Sequence, residues 1–192
     1  MERVRLGILG GVFDPPHAGH VALAQAALEQ LGLERLLVLV VACPGHKDVA
    51  TPAETRLALT RLAFAGLDRV DVELDRHART VDFLEERGIC DAIFVLGGDE
   101  LASFATWKRP ERVLELVRLG VARRPGTPDE ELEAAVARLP APERVLFFEL
   151  DPLDISSSEV RERVARGDPI DDLVPAPVAA EIARLGLYRA PE

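Results

Sequence analysis

Cysteine is scarce in this 192-residue chain, in which Cys43 and Cys90 are the only two. Two cysteines are too few for a disulfide framework, and a reducing cytosol is the simplest compartment for such a chain, so we expect a cytoplasmic protein. No apolar run approaches the roughly 18–20 residues that a membrane-spanning helix needs, and we expect neither membrane association nor a signal peptide.

Positive charge is also in short supply, because 23 Lys and Arg stand against 33 Asp and Glu and give a formal net charge of −10 at pH 7. A broad basic surface is therefore missing, and we expect no nucleic acid as the main partner. A small anionic ligand is not excluded, because a local cluster of donors can outweigh distant charge. With 48% hydrophobic residues, residues 1–192 are expected to fold as a single globular domain.

The familiar metal and nucleotide motifs are missing as well. The sequence contains no HExxH and no CxxC, so we expect no metal site built by the protein. The stretch GILGGV lacks the spacing of a G-x-G-x-x-G fingerprint, and Gly45-His46-Lys47 lacks the Ser or Thr of a P-loop.

Apolar runs alternate with helical patterns along the chain, which predicts a Rossmann-like, doubly wound α/β fold with a mainly parallel sheet and helices on both faces. The predicted strands cover 4–9, 36–42, 70–74, 92–96, 120–122 and 145–150. Thr51 is predicted to cap a helix that starts at Pro52, and Thr80 to cap another. The predicted helices cover 21–31, 52–65, 81–86, 111–116, 130–139, 156–166 and 178–185.

The stretch Gly10–His20, GGVFDPPHAGH, joins the first predicted strand to the first predicted helix. Gly10 and Gly11 let the backbone approach a ligand closely, and a helix start is a natural seat for phosphate. The imidazoles of His17 and His20 can donate hydrogen bonds to phosphate oxygens whose charge grows during a reaction. The alternatives are surface histidines in a Pro-Pro turn, or two ligands of a zinc site that would need a third.

A second stretch, Ile155–Arg161, has the sequence ISSSEVR at another predicted helix start. Its serines can offer hydroxyl and backbone N–H groups to an anion, and Arg161 can fork onto phosphate oxygens. An ordinary serine cap with a solvated arginine is the alternative. The strand predicted over 92–96 also ends in a glycine pair, Gly97-Gly98, which suggests a second close approach of backbone to the same ligand.

Together, GGVFDPPHAGH and the distal ISSSEVR resemble the HxGH and ISSxxxR signatures of the nucleotidylyltransferase superfamily. The resemblance extends through the tail DDLVPAPVAAEIARLGLY and so covers essentially the whole chain. Class I aminoacyl-tRNA synthetases share the His-x-Gly-His idea, but 192 residues leave no room for their tRNA-binding parts.

Within the superfamily, the segment GGDELASFATWK resembles the Gly-x-Asp and distal Trp of bacterial nicotinate-nucleotide adenylyltransferases. The resemblance implies that Trp107 stacks on the nicotinate ring beside the Lys108 backbone, and that Asp99 binds ribose. A core-packing Trp107 and an Asp99 that caps the following helix are the alternatives.

Two further contacts are implied by the resemblance. Thr80 would contact the pyridine carboxylate or amide, and Lys47 would contact phosphate, with a solvated lysine as the alternative. Arg79 and Phe83 depart from the Tyr and the second Thr of the family, and this departure bears on the choice between acid and amide. Val12 replaces a common Thr in the first motif.

The resemblance implies an enzyme that transfers adenylyl from ATP to nicotinate mononucleotide, with Mg²⁺ bound through the ATP phosphates. The implied catalytic residues are His17, His20 and Arg161. The residues assigned to ATP are Gly10, Gly11, Val12, Phe13, His17, His20, Gly97, Asp99, Ile155, Ser157, Ser158 and Arg161. The residues assigned to the pyridine nucleotide are Asp14, Lys47, Thr80, Trp107 and Lys108.

Two alternative functions stay open. One is another adenylyltransferase of the superfamily, such as phosphopantetheine adenylyltransferase, although that family is usually shorter and lacks the Gly-x-Asp and Trp segment. The other is a nucleotide-binding sensor that has lost turnover, against which the intact His17, His20 and Arg161 argue.

Overall fold

The computed structural model describes residues 5–44, 49–77, 79–123 and 129–190. The strands in these ranges are β1 Leu6–Gly11, β2 Arg35–Val41, β3 Val70–Asp75, β4 Ala92–Gly97, β5 Val117–Arg123 and β6 Val145–Glu149. The helices are α1 Ala18–Gln30, α2 Ala53–Phe64, α3 Thr80–Glu86, α4 Gly98–Ser103, α5 Pro110–Leu116, α6 Asp129–Ala137, α7 Ser157–Arg166 and α8 Ala176–Leu185. Short 3₁₀ helices cover Phe104–Thr106 and Pro142–Arg144.

The six strands form one sheet in the order β3-β2-β1-β4-β5-β6, and every neighbouring pair is parallel. The chain builds outward from β1 to β3 on one side and then crosses to β4 on the other. The strand order therefore reverses between β1 and β4, where open α/β sheets form their ligand crevice at the carboxyl ends of the strands. This arrangement confirms the predicted doubly wound fold.

Hydrophobic clusters cover both faces of the sheet, because successive residues of a strand point to opposite sides. Leu9 of β1 belongs to one cluster together with residues of α1, α2, α7 and α8. Ile8, its neighbour in the same strand, belongs to the other cluster together with residues of α3, α4, α5 and α6. Strands that are buried on both faces read as continuous aliphatic runs, which is why β2 has the sequence RLLVLVV.

Several predicted boundaries were wrong at helix starts. Pro52 is the N-cap of α2 and not its first helical residue, and Arg79, not Thr80, is the N-cap of α3. The start of α1 lies at Ala18, before the predicted position 21. The helix that Asp99 would have capped, α4, begins at Gly98 with Gly97 as its N-cap, so Asp99 is not the cap. The cap predicted for α7 is confirmed, because the Ser156 Oγ accepts a hydrogen bond from the Glu159 N–H at 3.1 Å.

The exposed edge of the sheet at β6 is partly covered by a side chain of α1. The Gln30 Nε2 donates to the Glu149 carbonyl at 2.8 Å, and the Glu149 N–H donates to the Gln30 Oε1 at 2.9 Å. One side-chain amide thus binds both main-chain groups of a strand residue. In the part of the chain that the structure describes, no helix combines the length and the apolar character needed to cross a bilayer.

In the connection from β3 to α3, a histidine lies between two carboxylates and contacts both. The His77 Nδ1 lies 2.7 Å from the Asp75 Oδ1, and its Nε2 lies 2.9 Å from the Glu86 Oε2. Hydrogen bonds to Glu86 and then to Asp75 raise the pKa of the imidazole above its ordinary value. Both ring nitrogens can donate only in the protonated form, so the two contacts are complete only in the imidazolium ion.

We predict that His77 stabilises the fold more at acidic than at alkaline pH. A pKa that is raised in the folded state gives stability that is fully present below the unfolded value of about 6.5 and is lost as the pH rises through the folded value. The difference in free energy of unfolding between the wild type and His77→Gln, measured by denaturant titration, should therefore shrink from about pH 5.5 to pH 9. Glu86→Gln should weaken this pH dependence. A difference that is constant with pH would contradict the prediction.

Candidate active site at the carboxyl ends of β1 and β4

The candidate site begins at the glycine pair that ends β1. A Cβ on Gly11 would lie 2.8 Å from the Phe13 Cζ, so the buried Phe13 ring occupies the space that any other residue at position 11 would need. Phe13 itself has a φ of +52°, a left-handed conformation that is uncommon for a bulky residue. Such conformations persist only where the surroundings fix them, and they concentrate at functional sites.

The two histidines lie at the start of α1. His17 is the N-cap with extended backbone, and its side chain is buried. The rings of His17 and His20 stack with their centroids 3.7 Å apart, and Phe13 packs edge-on against His20 at 4.9 Å. A Cβ on Gly19 would lie 3.0 Å from the His17 Nδ1. Glycine between the two histidines therefore leaves room for the buried imidazole.

The hydrogen bonding of His20 defines which of its nitrogens carries the proton. The backbone N–H of His17 donates to the His20 Nδ1 at 3.2 Å. A backbone N–H can only donate, so Nδ1 is the acceptor and the neutral ring carries its hydrogen on Nε2. The neutral imidazole of His20 is consequently a hydrogen-bond donor at Nε2, as binding to a phosphate oxygen requires.

The second motif lies directly against the first. The Ser157 Oγ donates to the Pro15 carbonyl at 2.9 Å, and the Arg161 Nη1 donates to the Asp14 carbonyl at 2.6 Å. The Arg161 Nη2 also donates to the Ser158 Oγ at 3.2 Å. Ile155 joins them, since its carbonyl lies 4.0 Å from the position of a Cβ on Gly19. Two stretches that are far apart in sequence thus come into contact and bring their hydrogen-bond donors together.

The predicted pyridine end is built around Trp107. Its half-buried ring packs edge-on against Phe94 at 5.6 Å and, tilted, against Phe104 at 5.1 Å between centroids. Phe94 in turn lies 3.3 Å from the position of a Cβ on Gly10. This chain of contacts brings Trp107 towards the glycine pair of β1.

Lys108 and α3 border the same region. The Lys108 Nζ donates to both carboxylate oxygens of Asp82 at 2.9 and 3.0 Å. Asp82 lies in the first turn of α3, which begins at Thr80, so the ion pair brings the Trp107 segment beside the start of that helix. The Lys108 side chain is thus paired with Asp82. The predicted contact with the pyridine nucleotide involves only the Lys108 backbone.

The second glycine pair differs in structure from the first. Gly97 ends β4 and is the N-cap of α4, which begins at Gly98. The Gly97 N–H donates to the Glu100 Oε2 at 3.0 Å. Asp99 lies in α4, but its side chain is outside the described part of the structure, as is all of Lys47.

Sequence reasoning missed Arg56, which is 1% exposed on α2. Its guanidinium donates to the carbonyls of Val12, Val41 and Ala42 at 2.7, 2.8 and 3.0 Å, and its Nε donates to the Thr51 carbonyl at 3.1 Å. Burial lowers the pKa of the guanidinium. The available signal was an arginine at helical spacing from apolar residues on the buried face of α2.

A second residue missed by sequence reasoning is Tyr188, the only tyrosine of the chain. Its hydroxyl donates to the Asp14 Oδ1 at 2.6 Å, across almost the whole sequence. The only sequence evidence for it was the resemblance of the tail DDLVPAPVAAEIARLGLY to the family. That resemblance assigned no role to the tyrosine. Asp14 is therefore bound through its carbonyl by Arg161 and through its carboxylate by Tyr188.

The comparisons with known proteins agree on one family. Residues 8–163 match the family described as cytidylyltransferase-like. A probable nicotinate-nucleotide adenylyltransferase of Thermomicrobium roseum is 40% identical over an alignment of 200 residues, which covers 98% of this chain and 93% of the relative. A protein of the same description from Thermus thermophilus is 39% identical over 195 residues, which span 97% of this chain and 100% of the relative.

Solved structures agree with the fold. Plasmodium falciparum nicotinic acid mononucleotide adenylyltransferase complexed with NaAD aligns with a TM-score of 0.77 and 19% identity, covering 97% of this chain and 98% of that chain. The same enzyme complexed with APC aligns with a TM-score of 0.75 and 18% identity over the same shares. At this level of identity, the likeness shows a shared fold.

We predict that Arg56 is required for stability because its removal leaves four main-chain carbonyls without their donor. Arg56→Met should lower the free energy of unfolding by at least ~3 kcal/mol, measured by denaturant titration. Arg61→Met, at an exposed position of the same helix, is the matched control and should change it by less than ~0.5 kcal/mol. Equal unfolding midpoints for the two variants would refute the assignment.

Proposed function

The chain belongs to the cytidylyltransferase-like family and, within it, to the nicotinate-nucleotide adenylyltransferases, and from this premise we propose that it transfers adenylyl from ATP to nicotinate mononucleotide. The products are nicotinate adenine dinucleotide and pyrophosphate, and the reaction is a step of NAD biosynthesis. The observation that carries the proposal is the contact of Arg161 with the loop that leads to His17 and His20. Through it, the second motif lies against the loop that carries the first.

The chemistry of this transfer matches the groups available. The nucleophile is a phosphate monoester whose second pKa is about 6, so it is mostly ionised near neutral pH and needs no general base. Catalysis then consists of holding two anions in line and stabilising the charge that develops at the α-phosphorus and on the departing pyrophosphate. The Nε2–H of His20 and the guanidinium of Arg161 are donors suited to that task.

The proposed assignment follows the two ends of the crevice. His17 and His20 contact the reacting phosphates, and Ser157, Ser158 and Arg161 contact the β and γ phosphates. The glycine-rich backbone of Gly10, Gly11, Val12, Phe13 and Gly97, together with Asp99 and Ile155, binds the rest of ATP. The pyridine nucleotide contacts Asp14, Lys47, Thr80, Trp107 and the Lys108 backbone.

Mg²⁺ is proposed to enter with ATP, coordinated by its phosphates and by water. Within residues 5–44, 49–77, 79–123 and 129–190, no three His, Cys, Asp or Glu side chains are grouped so that they could hold a metal ion. The guanidinium and N–H groups at the candidate site are donors to phosphate oxygens, so Mg²⁺ is proposed to be held mainly by the phosphates themselves. When bound with ATP, Mg²⁺ would supply positive charge to the phosphates.

Cellular location and domain organisation complete the proposal. Cys43 and Cys90 are exposed free thiols, which suits a reducing compartment and therefore the cytoplasm. We propose that residues 1–192 form one nucleotidylyltransferase domain. Support comes from the contact of Asp14 near one end of the sequence with Tyr188 near the other.

The decisive experiment measures pyrophosphate release with ATP, Mg²⁺ and a panel of acceptors. We expect nicotinate mononucleotide to give the highest kcat/KM, above nicotinamide mononucleotide and phosphopantetheine. His20→Ala serves as the control for contaminating activity and should lose at least ~10²-fold in kcat. Preference for phosphopantetheine would instead support another adenylyltransferase of the superfamily. ATP binding without turnover on any acceptor would support a sensor.

Trp107 tests the pyridine end separately from the ATP end. If its ring forms the platform for the pyridine, Trp107→Ala should raise the KM for nicotinate mononucleotide by about tenfold, the loss of one stacking contact. The KM for ATP should stay nearly constant, and Trp107→Phe should retain most of the affinity. A KM for the mononucleotide that is unchanged in Trp107→Ala would remove the assignment.

A further inference from the structure

The chain turns back on itself after α8 and enters the candidate site. Gly186 has a φ of +63°, and the Leu187 N–H donates to the Ile182 carbonyl at 3.1 Å, which ends the helix. Tyr188 follows with a φ of +61°, a left-handed conformation that side-chain-bearing residues adopt only where other contacts fix them. Leu187 and Tyr188 both pack against the hydrophobic cluster on the α1 and α2 face of the sheet.

The hydroxyl of Tyr188 lies between two polar side chains. It donates to the Asp14 Oδ1 at 2.6 Å and accepts from the Thr51 Oγ1 at 3.4 Å. Burial, followed by the hydrogen bond to Asp14, raises the pKa of Tyr188 well above its ordinary value. The phenol is therefore protonated at neutral pH and can donate to Asp14.

Asp14 is the residue through which this contact reaches the reacting groups. Its carbonyl accepts the hydrogen bond of Arg161 at 2.6 Å, and the carbonyl of Val12, two positions earlier, accepts that of Arg56. A movement of Asp14 would therefore move the Arg161 guanidinium and the turn that leads to His17. A 1 Å error in such positions is enough to cost a large factor in rate.

The segment just before α8 also contacts the start of α1. The Ala18 N–H, at the start of α1, donates to the Leu173 carbonyl at 2.9 Å. Leu173 lies just before α8, so α8 is joined to the histidine turn from both of its ends. The loop Val12–Pro15 and the first turn of α1 are thus held by the segment that surrounds α8.

We propose that Tyr188 is a positioning residue that fixes the loop Val12–Pro15 by binding the Asp14 carboxylate, and thereby aligns Arg161 and His17. Tyr188 acts through the Asp14 carboxylate, to which its hydroxyl donates. The effect on turnover rests on the proposed adenylyl transfer, whereas the effect on the order of the loop does not.

The first test measures amide hydrogen exchange in peptides that cover residues 12–20. The amides of His17, Ala18 and His20 have hydrogen-bond partners in the structure, so they report on the order of the turn. In Tyr188→Phe, which keeps the ring and removes the donor, these amides should exchange at least ~5-fold faster than in the wild type. Leu185→Ala, an exposed position on the same segment, is the control and should match the wild type.

The second test separates positioning from a merely structural role. Tyr188→Phe should lower kcat about tenfold while the KM values for ATP and nicotinate mononucleotide change by less than about twofold. In an Asp14→Ala background, the same substitution should cause no further loss, because the acceptor is already gone.

The outcomes distinguish the two proposals. Wild-type exchange rates in Tyr188→Phe, or losses of kcat that add in the double variant, would overturn the role of Tyr188. If the wild type released no pyrophosphate with any acceptor, the proposed function would fail, and the exchange measurement would still decide whether Tyr188 orders the loop.

Discussion

The candidate site depends on main-chain carbonyls of one loop that accept hydrogen bonds from distant side chains. Val12, Asp14 and Pro15 each present a carbonyl to a donor that lies 44, 147 and 142 positions further along the chain, respectively. Main-chain acceptors are available whatever side chains the loop carries. The donors Arg56, Arg161 and Ser157 therefore hold the loop through its main chain, and Tyr188 adds a contact with the one side chain of the loop that accepts a hydrogen bond, Asp14.

The same contacts bear on how a chain of net charge −10 could present the proposed site for anions. In the described part of the structure, most arginine hydrogen bonds at the surface end on carboxylates. Arg163 Nη1 contacts both carboxylate oxygens of Asp172, and Arg184 makes a bidentate contact with Glu181. The hydrogen bonds of Arg56 and Arg161 end instead on carbonyl and hydroxyl oxygens. Neutral acceptors hold the Arg161 guanidinium in place without cancelling its charge, as its proposed contact with phosphate requires.

The sheet was predictable because its strands are buried on both faces and read as aliphatic runs, and its parallel order followed from the alternation with helices. Helix starts were less predictable. Thr51 and Thr80 carry the side chains of good caps, yet Thr51 lies one residue before the N-cap and Thr80 is already helical. Thr51 is instead held by Arg56, whose Nε donates to the Thr51 carbonyl.

The two motifs of the candidate site were predictable as anion-binding groups, and the structure brings them into contact. Their means of contact was not predictable, since a carbonyl acceptor has no sequence signature. Arg56 and Tyr188 were not predicted for the same reason. Nothing in the sequence identifies the residues that they contact in the fold. The boundary of β5 was hidden for a different reason: α5 passes directly from Leu116 into Val117, with no glycine or proline between helix and strand.

The amide of Gln30 has a consequence for how the molecule meets its neighbours in a crowded solution. An open strand edge is a template on which another polypeptide can add a strand and begin a cross-β stack. At Glu149, the donor and the acceptor are both satisfied from within the molecule, so an incoming strand would first have to displace Gln30. The Gln30 amide, which carries the same donor and acceptor as a peptide group, therefore hinders the addition of a strand from another molecule at this edge.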